Sequence, residues 1–130
     1  MADLIEMVVI QVRKSTTATK RSISQSYQNL ERYLKGQVTQ LRDGDTIEVN
    51  GIAIRLSALD CPERGTRDGE RANRLAQQFL TTKAVCELTG AKTYDRLVGY
   101  CIVGGQDFGL FMMRNSACKL WEKYDVWDRY

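Results

Sequence analysis

Three short clusters of charged residues in this chain have the side-chain types that cation and phosphate chemistry uses. In sequence order they are Asp43-Gly44-Asp45-Thr46, Asp60-Cys61-Pro62-Glu63 and Lys92-Thr93-Tyr94-Asp95-Arg96. The first two clusters supply carboxylates, and carboxylate oxygens are the ligands that hard divalent cations prefer. The third cluster on its own is typical of a charged loop, so its interest depends on what lies near it in the fold.

The first cluster predicts a carboxylate at the mouth of a sheet. Asp45 shares strand parity with the apolar residues Ile47 and Val49, so its side chain is expected on the inward-facing side. The alternative is a plain turn, since Asp-Gly is ordinary turn chemistry, and for this cluster alone the turn is favoured.

The second cluster places two acids on either side of a rigid bend. Pro62 is the single proline of the chain, and it biases Cys61 toward an extended backbone. This restraint determines where Asp60 and Glu63 point. The alternative is a strand that merely ends in charged residues, and the sequence weighs the two interpretations equally.

The chain contains no histidine, which excludes Ser-His-Asp and Cys-His catalysis and any histidine base. If water attacks a phosphorus atom here, Glu63 is the available general base. Two planar guanidinium groups, Arg55 and Arg96, match the oxygens of a pentavalent phosphate transition state with paired donors. A cation and two arginines together would stabilise the charge of that transition state.

The elements that must position these residues are mostly strands. Alternating apolar residues predict strands near 37–42, 45–49 and 52–58, with Asn50-Gly51 as a hairpin turn between the last two. An amphipathic helix is predicted over 69–82, followed by strands near 84–89 and 96–103 and a short helix over 107–118. The order favours a mainly β, α+β fold: a five-stranded Greek-key barrel of the oligonucleotide-binding (OB) type.

The first 36 residues differ from this pattern, so we divide the chain into an extension (1–36) and a barrel domain (37–130). Apolar residues at helical spacing predict an amphipathic helix near 20–34. The extension carries six basic and three acidic side chains, which accounts for the whole net charge of +3. A basic arm is compatible with nucleic acid. A monomer is expected, with self-association through the N-terminal helix as the alternative.

Composition also bears on three further questions: a zinc site, a membrane partner and the cellular location. The four cysteines form no CxxC pair, which argues against a common zinc site; free thiols are the favoured interpretation and disulfides stay open. No segment has the roughly 20 apolar residues of a membrane helix, so no membrane partner is expected. The N-terminus lacks the features of a signal peptide, which predicts a cytoplasmic protein, with export of a longer precursor left open.

From about Lys35 to Tyr124 the sequence resembles the thermonuclease, or staphylococcal nuclease-like, family. Four motifs agree in order and spacing: Asp43-Gly44-Asp45-Thr46, Ile54-Arg55-Leu56 with Asp60-Cys61-Pro62-Glu63, Gly69-Glu70, and Tyr94-Asp95-Arg96-Leu97-Val98-Gly99. The resemblance implies a calcium-dependent endonuclease that hydrolyses DNA and RNA with little sequence preference and leaves 3′-phosphate ends. It also implies that residues 37–130 form the nuclease domain.

The resemblance also implies a ligand set for Ca²⁺. Asp45 and Asp60 would bind the ion through their side chains, and Cys61 through its backbone carbonyl. Thr46 would act through a water molecule, and Asp43 would support the site as an outer-shell acid.

For the reaction itself, the resemblance implies Glu63 as the general base and Arg55 and Arg96 as the phosphate-binding arginines. Tyr94 would contact the nucleotide phosphate. Asp95 stands where the family usually has glycine, and its carboxylate would hold or sequester the neighbouring Arg96 if the two paired.

A second interpretation belongs to a different class: a catalytically inactive module that binds nucleic acid or protein. The presence of all five expected acids and arginines argues against it. The aromatic tail with Trp121, Tyr124 and Trp127 has two interpretations as well, and cover for the core is favoured over base stacking.

Overall fold

The computed structural model describes residues 32–130, and these form a mainly β, α+β structure. The predicted fold class is confirmed at this level. The elements are β1 (Tyr33–Asp43), β2 (Thr46–Val49), β3 (Ile52–Leu56), β4 (Leu59–Asp60), α1 (Arg67–Gln77), β5 (Lys83–Thr93), β6 (Arg96–Val103), β7 (Gln106–Asp107), α2 (Phe108–Asn115), β8 (Lys119–Leu120) and a 3₁₀ turn (Glu122–Tyr124).

The main sheet has the strand order β3-β2-β1-β5-β6-β7, and β3 also pairs with β6 in parallel. All other pairs in this sheet are antiparallel. As a result, strands β1, β2, β3 and β5 each have two hydrogen-bonded neighbours, and β6 has three. A second, two-stranded sheet joins β4 to β8.

Local sequence signals account for the β2–β3 hairpin. Asn50 and Gly51 both have positive φ angles, 49° and 77°, which is the geometry that tight two-residue hairpins require. The Asn50 side chain also accepts a hydrogen bond from the backbone N–H of Gln37, which holds the turn against β1. The hairpin predicted at Asn50-Gly51 is therefore confirmed.

Helix α1 is shorter than predicted, because the chain leaves the helix after Gln77. Thr81 has a φ angle of 68°, and its N–H donates to the carbonyl of Val38 on β1. At the other end, the Thr66 side chain caps the helix by accepting from the N–H of Gly69. The helix packs on β1 through a face that includes Ala72 and Ala76.

The apolar core lies between the strands and the two helices. Its largest fully buried side chains include Ile47, Ile54, Leu59, Phe108 and Met112. Strand alternation supplies the inward residues, as the sequence period predicts.

All four cysteines lie in the described part of the chain, and all are paired. Cys86 and Cys101 face each other across β5 and β6 in the core, and Cys61 is bonded to Cys118. The interpretation of free thiols is therefore wrong, because the strand register sets the folded distances on which pairing depends.

The predicted N-terminal helix lies mostly outside the described residues. Where the predicted extension enters the described part, Tyr33 to Gly36 belong to strand β1. Between residues 32 and 130, no helix combines the length and apolar character that crossing a membrane requires.

Candidate functional site

The β1–β2 turn holds the first acid cluster in a close-packed setting. The N–H of Asp45 donates to Oδ1 of Asp43 over 3.0 Å, so the first acid shapes the turn around the second. Gly44 is buried between them, and a Cβ atom there would lie 2.9 Å from the sulfur of Cys61 and 3.2 Å from Cβ of Ala72. Only glycine lets the turn approach the disulfide and α1 this closely.

The Asp45 carboxylate is buried, and neighbouring donors compensate only part of the cost of burying its charge. The residue is 9% exposed, and its Oδ2 accepts from the N–H of Cys61 over 3.1 Å and lies 3.5 Å from Nη2 of Arg55. Burial and the hydrogen bond with Asp43 raise the pKa of Asp45 to about 7, and the charge of Arg55 opposes this rise. The Asp43–Asp45 pair therefore favours a bound proton or another cation near neutral pH.

Arg55 is held rigidly on β3. Its Nη1 donates to the carbonyl of Leu56 over 2.7 Å and to that of Leu59 over 2.6 Å. Because these two carbonyls flank the bend between β3 and β4, the guanidinium is oriented by backbone atoms. Its other terminal nitrogen, Nη2, lies 3.5 Å from Oδ2 of Asp45.

Arg96 begins β6 and reaches the same region from the other side. Its Nη1 donates to Oγ1 of Thr46 over 3.0 Å, and Thr46 is almost fully buried. On the adjacent strand, Thr46 is the Cα partner of Arg55. Thr46, proposed from sequence as a water-mediated metal ligand, thus has a direct contact with one of the two arginines.

The two arginines line one cavity of about 420 Å³. Trp121 and Tyr124 also line this cavity, and their rings meet edge to face with centroids 4.4 Å apart. Both residues are more than two-fifths exposed, at 43% and 44%. The favoured interpretation of the tail as core cover therefore does not describe these two side chains.

Trp127 has a different place from the other aromatic residues of the tail. Its ring stacks on that of Tyr100, with centroids 5.2 Å apart and planes inclined by 19°. The guanidinium of Arg129 lies over both rings, at 4.6 Å from Tyr100 and 4.8 Å from Trp127. Covering the sheet is thus the role of Trp127.

The second acid cluster is fixed through its backbone more than through its carboxylates. Asp60 is exposed at the end of β4, opposite Lys119 on β8. Glu63 is exposed as well, and among residues 32–130 its carboxylate has no hydrogen bond or ion pair. The Glu63 carbonyl, however, accepts from both the N–H and the hydroxyl of Thr66.

Gly69 explains how tightly this loop sits on α1. A Cβ atom at position 69 would overlap the carbonyl oxygen of Glu63, so the helix start and the loop touch backbone to backbone. Glu70 restrains the same loop by accepting from the N–H of Gly65 and from the side chain of Arg64. The backbone at Glu63 is therefore set by the helix that follows it.

The third cluster forms an exposed hairpin tip. Tyr94 is 96% exposed with a φ angle of 56°. Asp95 accepts two hydrogen bonds from Arg42, over 2.7 and 3.2 Å. The carboxylate that the sequence suggested as a trap for Arg96 is thus bound to a different arginine.

Several contacts of the site have no local sequence signal. Arg42, the disulfide at Cys61 and the cavity wall formed by Trp121 all join segments far apart in the chain. The clustering of aromatic residues near the C-terminus was the only pointer to that wall.

The donor set suits a cation with few protein ligands. The described residues hold no group of three or more histidine, cysteine or acidic side chains placed to bind a metal ion. Asp45 offers one buried carboxylate, and Asp60 lies directly before Cys61, which contacts Asp45 through its N–H. Two carboxylates, one backbone carbonyl and water would satisfy a calcium ion, which accepts such mixed oxygen ligands.

Comparison with known proteins found no family model that matches the chain. Two proteins, from Escherichia coli O157:H7 and Escherichia coli, each named "Uncharacterized endonuclease", are 28% identical over 99 residues, covering 72% of this chain and 65% of theirs. The "Succinoglycan biosynthesis protein ExoI" of Rhizobium meliloti (strain 1021) is 31% identical over 87 residues, covering 57% of this chain and 46% of its own. The chain thus spans less than two thirds of the length of each of these relatives, and less than half of the Rhizobium protein.

Proposed function

We propose that this protein is a metal-dependent phosphodiesterase, an endonuclease that hydrolyses DNA, RNA or both with little sequence preference. One observation carries the proposal: Arg55 and Arg96 line the same cavity, and Arg55 also contacts the buried carboxylate of Asp45. Two planar guanidinium groups in the lining of one cavity suit a phosphate group. The printed names of the two Escherichia coli relatives support the same class of reaction.

We further propose the thermonuclease-like type of enzyme on an OB-fold barrel. The support is the ring of pairings, in which β3 joins β6 as well as β2, together with the four sequence motifs. Phosphodiester cleavage in this type leaves 3′-phosphate ends, which end-group analysis of the products would detect.

Calcium is the proposed cofactor, held by Asp45 and Asp60 with the Cys61 carbonyl, with Thr46 acting through water and Asp43 in support. When bound there, the ion would polarise the phosphate and lower the pKa of a coordinated water. The raised pKa of Asp45 supports the assignment, because a cation would compensate the charge that burial leaves unbalanced.

The side chains of the chain itself perform the remaining steps. Arg55, fixed by the carbonyls of Leu56 and Leu59, binds one side of the phosphate and stabilises charge on its equatorial oxygens. Arg96, supported by Thr46, does the same from the other side. Glu63 takes the proton from the attacking water as general base. Its exposed carboxylate leaves it free to do so once substrate is present.

The cavity wall suggests how the nucleotide is held. Trp121 and Tyr124 present exposed aromatic surface beside the arginines, and base stacking on such surfaces does not depend on base identity. Tyr94, at the exposed hairpin tip, is the proposed contact to a neighbouring phosphate.

One observation favours a second function. Because the Glu63 carboxylate has no contact with either arginine among the described residues, a module that binds nucleic acid without cutting it remains the alternative. Such a module would use the same cavity and the same arginines.

The two disulfides bear on where the protein works. Cys61–Cys118 and Cys86–Cys101 are both structural pairs, and such bonds persist in oxidising compartments. We therefore propose an oxidising environment in place of the cytoplasm expected from the sequence.

A cleavage assay across metals tests the proposal. Purified protein is incubated with plasmid, single-stranded DNA and RNA in Ca²⁺, Mg²⁺ or EDTA. We expect cleavage with Ca²⁺ and none with EDTA, and a Glu63→Gln rate lower by about 100-fold or more. Asp128→Asn, which changes an exposed acid outside the lining of the arginine cavity, is the matched control. Binding without cleavage under every metal would support the alternative module.

A further inference from the structure

Arg42 connects three segments that carry candidate site residues. It lies at the end of β1, directly before Asp43, and its fork of donors binds Asp95 through Nη1 and Nη2. Its Nε donates to Glu48 over 3.1 Å, and its carbonyl accepts from Arg64 over 3.1 Å. Arg42 therefore contacts strand β2, the β5–β6 tip and the loop after β4.

The β5–β6 tip has few contacts with the neighbouring strands among the described residues. Its two turn residues are Tyr94 and Asp95, since Thr93 and Arg96 are paired across it. Tyr94 adopts a positive φ angle, which is a strained backbone conformation for a non-glycine residue. The described contacts that join the tip to β1 and β2 are those of Arg42 with Asp95 and of Arg96 with Thr46.

Arg42 and Arg96 are both near enough to Asp95 to interact with its carboxylate. Asp95 is adjacent in sequence to Arg96, and a carboxylate near a guanidinium tends to form a bidentate pair with it. Arg42 occupies both oxygens of Asp95 in this structure. The pKa of Asp95 is lowered chiefly by its hydrogen bond with Arg42, and the charge of Arg96 is the smallest contribution.

We propose that Arg42 is a positioning residue: it sequesters the carboxylate of Asp95 and so leaves the guanidinium of Arg96, which Thr46 and Thr93 hold at the cavity, without an acidic partner. The inference rests on the proposed function, in which Arg96 binds the scissile phosphate. Arg42 itself does not line the cavity.

A purely structural role for the ion pair makes a different prediction. Exposed ion pairs contribute little to protein stability, and the side chains of Arg42 and Asp95 are partly exposed, at 35% and 65%. If the pair only stabilised the tip, removing Arg42 or Asp95 would have the same small effect. Sequestration predicts an asymmetry, because removing Arg42 alone leaves a free carboxylate beside Arg96.

A double-mutant cycle distinguishes sequestration of Asp95 from a purely structural role of the ion pair. We expect Arg42→Ala to lower the single-turnover rate about 10-fold, because Arg96 is drawn from the phosphate, while Asp95→Asn stays within about threefold of wild type. The double variant should recover to the level of Asp95→Asn. Arg42→Lys, which keeps a charge for Asp95, should restore most of the rate. Glu48→Gln controls for the second partner of Arg42.

Two outcomes would overturn the proposal. One is an equal loss in Arg42→Ala and in the double variant, and the other is a loss in Asp95→Asn as large as in Arg42→Ala. If Arg42→Ala fails to fold, Arg42→Gln takes its place in the cycle.

A readout independent of activity separates this proposal from the nuclease proposal. The Nε–H resonance of Arg96, assigned with Arg96→Lys, reports the surroundings of its guanidinium in ¹⁵N-labelled protein. We expect it to move in Arg42→Ala and to return in the double variant. An unmoved resonance contradicts sequestration. If wild type cuts no substrate but the resonance behaves as expected, the nuclease proposal fails and the sequestration stands.

Discussion

Replacing Asp45 by Asn should stabilise the metal-free protein at neutral and alkaline pH. The Asp45 carboxylate is buried beside Asp43, and its pKa rises to about 7 from the usual 3.8. An asparagine oxygen would still accept from the N–H of Cys61, and its amide would donate toward the carboxylate of Asp43. The variant thus keeps the hydrogen bonds and removes the buried charge.

The size of the effect follows from the pKa. Each pH unit corresponds to about 1.4 kcal/mol, so the rise from 3.8 to about 7 represents a cost on the order of 4 kcal/mol for the charged form. Burying the new amide offsets part of this, which leaves an expected gain of about 2–3 kcal/mol.

The raised pKa of Asp45 also determines how the free energy of unfolding changes with pH. Between pH 4 and pH 7 the native protein binds more protons at Asp45 than the unfolded chain does, so this group lowers the free energy of unfolding as pH rises. This destabilising contribution of the Asp45 carboxylate is complete above pH 7 and absent below about pH 4. The variant lacks it, so its advantage over wild type should be small at pH 4 and full at pH 8.

Urea denaturation in EDTA at pH 4, 6 and 8 measures this difference. Asp60→Asn is the matched control, because that side chain is exposed and has no buried charge to remove. An advantage of Asp45→Asn that is equal at pH 4 and pH 8, or a variant less stable than wild type at pH 8, would refute the reasoning. Adding Ca²⁺ at pH 8 should then stabilise wild type and leave Asp45→Asn unchanged.

Three further predictions concern the surroundings of the site. Replacing Cys61 and Cys118 together by Ser should lower the free energy of unfolding by about 3–4 kcal/mol, since the bond closes a loop with a sequence separation of 57; urea denaturation with and without reductant checks this. Gly69→Ala should cost roughly 2 kcal/mol or more, because the added Cβ would overlap the Glu63 carbonyl; an unchanged melting temperature would contradict the packing. Trp121→Ala should raise KM for single-stranded DNA about 10-fold with kcat retained, and Trp121→Phe should remain near wild type; steady-state kinetics decide, and equal KM values would exclude stacking.

The strands and turns could be predicted from the sequence because their causes are local. Alternating apolar residues in β2 and β3 and the Asn50-Gly51 turn specify the hairpin without reference to the rest of the chain. The end of α1 was missed, since a contact of Thr81 with β1 ends the helix early. Local propensity does not contain that contact.

Part of the candidate site could be predicted from the sequence for the same reason. The types and order of Asp43, Asp45, Arg55 and Arg96 indicated phosphate chemistry, and the fold brings both arginines to one cavity. The position of the Glu63 carboxylate relative to that cavity depends on side-chain rotation in an exposed loop, which sequence does not encode.

What the sequence determined alone is the mainly β character, the hairpin and the residue types available for chemistry. Only the tertiary structure decided that all four cysteines pair, that Trp121 faces the cavity and that Asp95 binds Arg42. Each of these joins segments far apart in the chain. Strand period specifies which face a side chain takes, whereas its partner on that face depends on sheet order and register, which long-range packing sets.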